Sequence, residues 1–452
     1  MKYLFFISAL LGILPAVTLL ICERYLIRFA VLGMILPLML FNQSAINFFS
    51  KEMYRGTSRG LEVSLIYIAA ATLIITLAIL KGMHNPFPDW GSRIYLLYFL
   101  LCLPSLRTAG TLSVCIFELW KMVMIYLVFL AVYYYLKFSE GDLDIIIYGV
   151  AAVVVVNFFT MLYQHVSGVY QPRGIFPHQN SMAMFMMLAG TLFFSRYFNN
   201  REVLKSTFFF IVFGMASVAL VRTYSRGAIA CYPLGVLITI MFSLRYTFSL
   251  RKMYVVTMLA IIAIAGIAYF TPRVINRFKS APEASAKTRK DLALVARNMI
   301  VDKPFRGVGI NNWGYAINPP YEYSAQRREE NRMPDDAKDG IVETVYLLIA
   351  AECGLPCLAA FLCWLGYYWV ISIRLLRALR GTPYFYFPVG ALGGLTGMML
   401  QSTLEWVLKQ QMNFIWMMIV FAILSYFNKY CRKFVPESPE EEDQETAESA
   451  AS

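Results

Sequence analysis

Apolar runs close to twenty residues long recur along almost the whole chain, beginning with YLFFISALLGILPAVTLLIC. A helix of about 20 residues crosses a hydrocarbon core of about 30 Å. Backbone N–H and C=O groups find no water there, so each run has to satisfy them internally, as a helix. The runs lie near 3–22, 25–41, 61–80, 93–110, 113–137, 143–163, 179–197, 204–221, 227–244, 253–270, 343–372, 384–406 and 410–428. They predict an all-α fold, a polytopic transmembrane bundle of about 12 (11–13) spans, with one long outer loop that itself carries helices. The first run follows a single lysine and lacks a clear small-residue cleavage site, so it reads as a retained span and not a signal peptide. No repeat pairs one half of the chain with the other, as many transporters would show.

The net charge of +12 would suggest nucleic acid in a soluble protein. Here the basic residues sit in short loops and at helix ends, which points to the lipid bilayer as partner and not to nucleic acid. Lys/Arg-rich connections recur at alternate positions: Arg196, Arg201 and Lys205; Arg245, Arg251 and Lys252; Arg374, Arg377 and Arg380; Lys429, Arg432 and Lys433. Their excess of positive charge assigns them to the cytoplasm. The intervening connections, 164–178, 222–226, 271–342 and 407–409, then face outward. The first third fits less well. Thirteen spans with a cytoplasmic C-terminus put the N-terminus outside, whereas the basic stretch SKEMYRGTSRG prefers the cytoplasm, and a re-entrant segment around 93–112 would reconcile the two with twelve. The ending PESPEEEDQETAESAAS is acidic and almost without apolar residues, so 429–452 reads as a disordered cytoplasmic tail.

The outward face collects residues that are costly at a membrane. QPRGIFPHQNSMA supplies Arg173, His178 and Asn180 at the mouth of one span, and VRTYSRGA supplies Arg222 and Arg226 at the mouth of the next. An arginine near the bilayer centre costs on the order of 3 kcal/mol on insertion scales, so a compensating anion is expected. The planar guanidinium suits phosphate oxygens and keeps its proton; a lipid-linked pyrophosphate is the natural ligand at this depth. The plainer reading is that the arginines snorkel to headgroups or pair with internal carboxylates. Within the outer loop, SAKTRKDLALVARNMIVDKPFRGVGINNW starts at Ser285 as a candidate cap, runs as an amphipathic helix carrying Arg289, stops at Lys303-Pro304 and ends in a tight turn. Arg289 is either a further phosphate contact or part of a surface helix. Glu343 opens the apolar run 343–372 at its outward end, where a carboxylate suits the helix dipole and could also serve as a general base. Glu352, nine residues deeper, is an intramembrane ionisable group and so a functional candidate, or else the partner of a neighbouring helix. The eight cysteines lie in or beside apolar segments; Cys353 and Cys357 in AECGLPC have no nearby histidine and no CxxC, so packing is the reading and no metal or cofactor is expected. Walker A and HExxH patterns are absent from the sequence.

Four blocks, taken together, resemble the bacterial O-antigen ligase and O-antigen polymerase superfamily: RGIFPHQNSMA, TYSRGA, TRKDLALVARNMIVDKPFRGVGINNW and ETVYLLIAAECGLPC, in that family's order around one long loop and covering about 170–365. The resemblance implies a glycosyltransferase of the bacterial plasma membrane, with 164–428 as the transferase region after N-terminal helices 1–163, and with 271–342 as a periplasmic loop. It implies transfer of a glycan from an undecaprenyl-pyrophosphate donor to a lipid A core sugar or to a growing polysaccharide. It carries pyrophosphate binding onto Arg222, Arg226 and Arg289, with Arg173 a weaker match. The family's ligase histidine falls on Glu343 and the following asparagine on Thr344, a departure that leans towards a polymerase or another polysaccharide transferase. On this reading Glu343, Arg226 and Arg222 are catalytic, His178, Asn180 and Glu352 support them, and the chemistry is inverting and metal-independent. The rival from another class is a lipid-linked oligosaccharide flippase or other secondary transporter, which could use the same arginines to hold pyrophosphate.

Overall fold

The computed structural model describes residues 2–40, 45–83, 85–200, 202–279, 283–318, 323 and 340–434. Among them the chain starts with α1 (Lys2–Leu11), α2 (Ile13–Cys22) and α3 (Leu26–Ile35). A two-stranded ribbon follows, β1 (Ala45–Phe48) and β2 (Leu61–Ser64), antiparallel with Ala45 opposite Ser64. Then come α4 (Leu65–Lys81), α5 (Trp90–Cys102), α6 (Leu112–Phe138), α7 (Asp144–Val166), α8 (Gln179–Asn199), α9 (Val203–Arg222), α10 (Arg226–Tyr246) and α11 (Leu250–Lys279). The segment after α11 holds α12 (Glu283–Asp302) and the single turn α13 (Trp313–Ala316). Last are α14 (Val345–Cys353), α15 (Leu355–Ala378), α16 (Tyr386–Gln401) and α17 (Gln411–Tyr430). The fold is overwhelmingly helical, and the ribbon is its one departure from an all-α reading among the described residues.

Five helices, α6, α7, α10, α15 and α17, are each long and apolar enough to cross a membrane. The centre is formed by α8 and α17, buried along nearly their whole length and apolar on every face, as a helix enclosed by other helices must be. Helix α16 packs against α8 and α10 through small residues: a Cβ at Gly235 of α10 would come within 2.8 Å of the Gly393 carbonyl oxygen, and one at Gly390 within 2.7 Å of Leu192 Cα. Close backbone approach through glycine is how helices associate where lipid supplies no hydrophobic drive. Outer helices instead expose large apolar side chains, among them Leu97, Ile116, Phe159, Ile211, Leu237 and Ile261, the surface of a body solvated by hydrocarbon.

The connections sort into two ends. At one end Arg196 pairs with Asp144 at 2.6 Å, Lys252 Nζ donates to Asn199 Oδ1 at 2.7 Å, Arg251 Nη1 donates to the Asn200 carbonyl at 2.9 Å, and Tyr384 packs on Phe434. The alternately spaced basic connections therefore do share one end. The other end carries α12, α13, the 304–312 turn and the 402–406 turn.

The first third differs from the expectation. Asp89, ahead of α5, accepts from Ser425 Oγ near the end of α17, whereas Thr108, beyond it, donates to the Gly307 carbonyl at 2.7 Å. Residues 90–107 thus run from one end of the bundle to the other, and 93–112 is not re-entrant. The basic stretch around 51–60 lies with the long loop: Tyr54 stacks on Tyr315 and bonds the Asn311 carbonyl, and the Asn311 side chain accepts from Thr57 N at 2.8 Å. Docking of one loop on another has overridden the local charge preference of SKEMYRGTSRG. Helix α12 ends at Asp302 as the Lys303-Pro304 stop predicts, but it begins at Glu283, so Ser285 lies inside it and is not its cap. The run 343–372 is not one helix. Gly354, at φ 87°, breaks it, and a Cβ there would meet the Phe305 carbonyl carbon at 2.5 Å. The chain docks in this break: Val308 N and Gly309 N donate to the carbonyls of Ala351 and Glu352, and Leu355 N to that of Pro304. His84 and the tail beyond 434 lie outside the described residues.

One buried ion network joins the first third to this docking site. Glu118 and Lys121 of α6 pair at 2.7 Å, and Lys409 lies 3.4 Å from Glu118 and 3.2 Å from Glu352. Ser58 Oγ donates to Glu118 at 2.5 Å and Thr57 Oγ1 at 2.7 Å. All four charged side chains are at most 5% exposed. Two cations and two carboxylates balance, which is what burial of charge demands.

Candidate functional site

At the loop end, the turn after α16, the start of α10, the middle of α12 and the residues ahead of α14 converge. Arg289 of α12 pairs with Glu343 through Nε and Oε2 at 2.5 Å. Glu405, in the 402–406 turn and 6% exposed, accepts from Asn180 Nδ2 at 2.6 Å. Arg226 lies within the field of both carboxylates. It is the first residue of α10, after the cap Ser225, whose Oγ accepts from Ala228 N. A guanidinium at the positive end of a helix dipole is unfavourable on its own, and Glu343 and Glu405 offset it.

Burial raises the carboxyl of Glu343 above its ordinary range, opposed by Arg289 and Arg226. Burial and the like charge of Glu343 push Glu405 up from 4.5 to about 7, against the Asn180 hydrogen bond and the two arginines. The folded pKa is the higher one, so folding favours the protonated form. The stability this contributes is fully present below about 4.5 and is lost as pH rises through about 7. One of two neighbouring carboxyls thus changes charge at physiological pH, the environment that tunes acid and base groups.

The remaining predicted residues are placed around this cluster. Arg222, the last residue of α9, donates through Nη1 to His165 Nε2 at 3.0 Å; its contact among the described residues is an imidazole and not the Arg226 cluster. The exposed Arg173 bonds the Pro177 carbonyl of its own loop at 3.0 Å. His178 caps α8, its Nδ1 accepting from Asn180 N at 3.2 Å, and burial with the nearby Arg173 lowers its pKa, which keeps that nitrogen free to accept. Gly174, at φ 58°, brings the same loop against Asn157, whose Oδ1 a Cβ would approach to 2.6 Å. Glu352 belongs to the ion network with Lys409 and not to the outer cluster, which favours its structural reading.

Glu405 escaped the sequence reading, which saw only a short turn at 407–409. The available signal is a lone acid in QSTLEWVLKQ, at the end of the apolar run 384–406. The buried Glu118–Lys121 pair escaped too, although two opposite charges three apart inside a long apolar run are a signal in themselves. Cys102, Cys353 and Cys357 bring their sulfurs within 4.8 Å of one another, the one such group among the described residues. Spacing could not reveal it, because Cys102 is distant in sequence. All three are buried among apolar neighbours, where thiols pack as small hydrophobes.

Residues 208–362 match the family model described as O-Antigen ligase. No curated protein matches the chain. Arg226, Arg289 and Glu343 fall inside the matched residues; Asn180 and Glu405 lie outside them and complete the cluster from elsewhere in the chain. Across residues 208–362, about a third of its length, the chain is therefore similar to the O-Antigen ligase family.

Proposed function

We propose that the protein is a multi-pass glycosyltransferase of the bacterial inner membrane that moves a glycan from an undecaprenyl-pyrophosphate donor to a sugar acceptor on the periplasmic side, in polymerisation or ligation of surface polysaccharide. The observation that carries this reading is the meeting of Arg226 and Arg289 with the carboxyls of Glu343 and Glu405 at one end of an apolar bundle. The basic connections gathered at the opposite end support a periplasmic long loop and a cytoplasmic C-terminus.

In this mechanism the acceptor hydroxyl oxygen attacks the anomeric carbon of the donor, from the face opposite the departing oxygen, which inverts that centre. The bond from the anomeric carbon to the phosphate oxygen breaks, and the pyrophosphate leaves with its electron pair. Arg226 and Arg289 stabilise the charge that develops on it. Glu343 takes the proton of the hydroxyl. Without donor, Arg289 lowers the pKa of Glu343. When its guanidinium turns to the pyrophosphate, that effect weakens and Glu343 becomes the stronger base, so donor binding prepares the acceptor's activation.

Glu343→Gln is expected to leave donor binding intact while lowering turnover by about 10²–10⁴-fold, measured as donor retention and glycan transfer in proteoliposomes. Full activity of that variant removes the base assignment. The wild-type rate is expected to show a titration near pH 7, set by Glu405, that Glu405→Gln abolishes; persistence of the step in the variant assigns it to another group. Reconstitution with an undecaprenyl-pyrophosphate oligosaccharide tests the function as a whole. Growth in glycan length marks a polymerase and movement to a lipid A core a ligase, whereas intact donor crossing the bilayer marks a transporter and overturns the reading.

A further inference from the structure

Beside the carboxylate cluster lies a cavity of about 290 Å³ that the mechanism above does not use. Its wall includes Arg59, Lys121, Ser181, Trp406, Gln410 and Gln411. Ser181 follows Asn180 and Trp406 follows Glu405, so two neighbouring backbones carry both the hydrogen-bonded carboxyl and the cavity wall. Apart from Pro177, the rest of the wall comes from the first third of the chain and the 406–412 segment, and all of it lies outside the residues that match the family model.

Its chemistry is that of a sugar subsite. A half-buried indole offers an apolar face, and amides and hydroxyls offer directional partners on the same concave surface. Gln410 Oε1 is buried and has no hydrogen-bond partner among the described residues, a state native proteins rarely leave unresolved and one a ligand hydroxyl would relieve. The cation at the back is already satisfied: Lys121 pairs with Glu118 at 2.7 Å and donates to the Lys409 carbonyl at 3.1 Å. Lys121 is compensated, and the wall's other cation, the exposed Arg59, shares it with the carboxylate of Glu62, so the wall suits an uncharged ring better than a phosphate. The arginines that would hold pyrophosphate lie instead on the Glu343 and Glu405 cluster.

We propose that this cavity binds the acceptor sugar as a neutral pyranose, its apolar face on Trp406 and a ring hydroxyl donating to Gln410 Oε1. The assignment to the acceptor rests on the transfer reading above; the binding of a neutral sugar does not. With the acceptor here and the pyrophosphate at Arg226 and Arg289, the carboxyls stand between the hydroxyl that loses a proton and the bond that breaks.

The test uses saturation-transfer NMR on the full chain in nanodiscs, with methyl β-D-galactopyranoside, methyl α-D-glucopyranoside and methyl N-acetyl-β-D-glucosaminide as probes. At least one probe is expected to receive saturation, strongest on its apolar-face protons. Gln410→Ala, which removes no hydrogen bond of the protein at Oε1, should weaken that binding about fivefold, the worth of one hydrogen bond, and Trp406→Ala should weaken it further. Inorganic pyrophosphate should not displace the probe. Absence of binding by all three probes, survival of binding in both variants, or displacement by pyrophosphate would overturn the proposal. Arg226→Ala separates the two readings: it should stop transfer and leave the probe signal in place. If it leaves transfer intact while Gln410→Ala still loses the sugar, the pyrophosphate reading fails and the cavity assignment stands.

Discussion

Replacing Arg226 by alanine is expected to lower glycan transfer by about 10²–10³-fold, the loss seen when one fixed donor to a developing oxyanion is removed, with the amount of folded protein unchanged. Two effects contribute, and pH tells them apart. Arg226 holds down the pKa of both Glu343 and Glu405, so the variant also has less ionised carboxylate at neutral pH. A deficit arising only from that would close as pH rises and the carboxyls ionise. A deficit arising from the missing donor stays at every pH, and this is the expected result. Arg226→Lys should recover only part of the rate, because an ammonium supplies the charge without the two-pronged geometry. A fall in the amount of folded protein with Arg226→Ala would instead assign the residue to folding, as counter-charge to Glu343 and Glu405.

Lys409→Met is expected to be the most damaging substitution for stability. It leaves Glu118 with one cation and Glu352 with none, and stranding a buried charge costs about 3–5 kcal/mol. Thermal loss of monodisperse protein in detergent should move to markedly lower temperature. The double variant Lys409→Met with Glu352→Gln should regain most of the loss, since the Glu118–Lys121 pair that remains is neutral overall. A double variant no better than the single one would show that Lys409 acts through packing and not charge, because the cycle isolates the pairwise term. The same lysine anchors the turn that carries Glu405, so a destabilised network should loosen the candidate site before the bundle itself unfolds.

What could be read in the linear chain and what could not follows from the range of the forces involved. Helix α12 was legible because its amphipathic pattern and the Lys303-Pro304 stop are local. The 307–311 turn was legible too, and Gly307, Gly309 and Asn311 all take positive φ there. Arg226 and Glu343 stood out because ionisable groups at the mouths of apolar runs are expensive wherever they fall. Their partner Glu405 sits in a five-residue turn, 402–406, with no pattern, and only the packing of α16 beside α8 sets its carboxyl against Asn180. The convergence of Arg289 with Glu343 was suggested by motif order; the separation of Arg222 from that pair was not, since four residues across a helix boundary can point either way. The side on which 51–60 lies runs against its charge because charge statistics weigh a loop against lipid, whereas here Tyr54 and Thr57 are held by Asn311, distant in sequence, and Thr57 and Ser58 by Glu118.

The glycine break after Cys353 has a practical corollary for anyone exchanging parts between such proteins. Backbone meets backbone there so closely that no side chain can be inserted at 307 or 354 without moving Glu352 or Phe305. A graft of the external segment alone would arrive without its socket. A transplantable cassette therefore needs the interval from the start of α12 through residue 355 together with the matching surfaces at 54–58 and 108–109 on which its turn docks, and specificity swaps cut inside that interval should yield hybrids that insert but do not turn over.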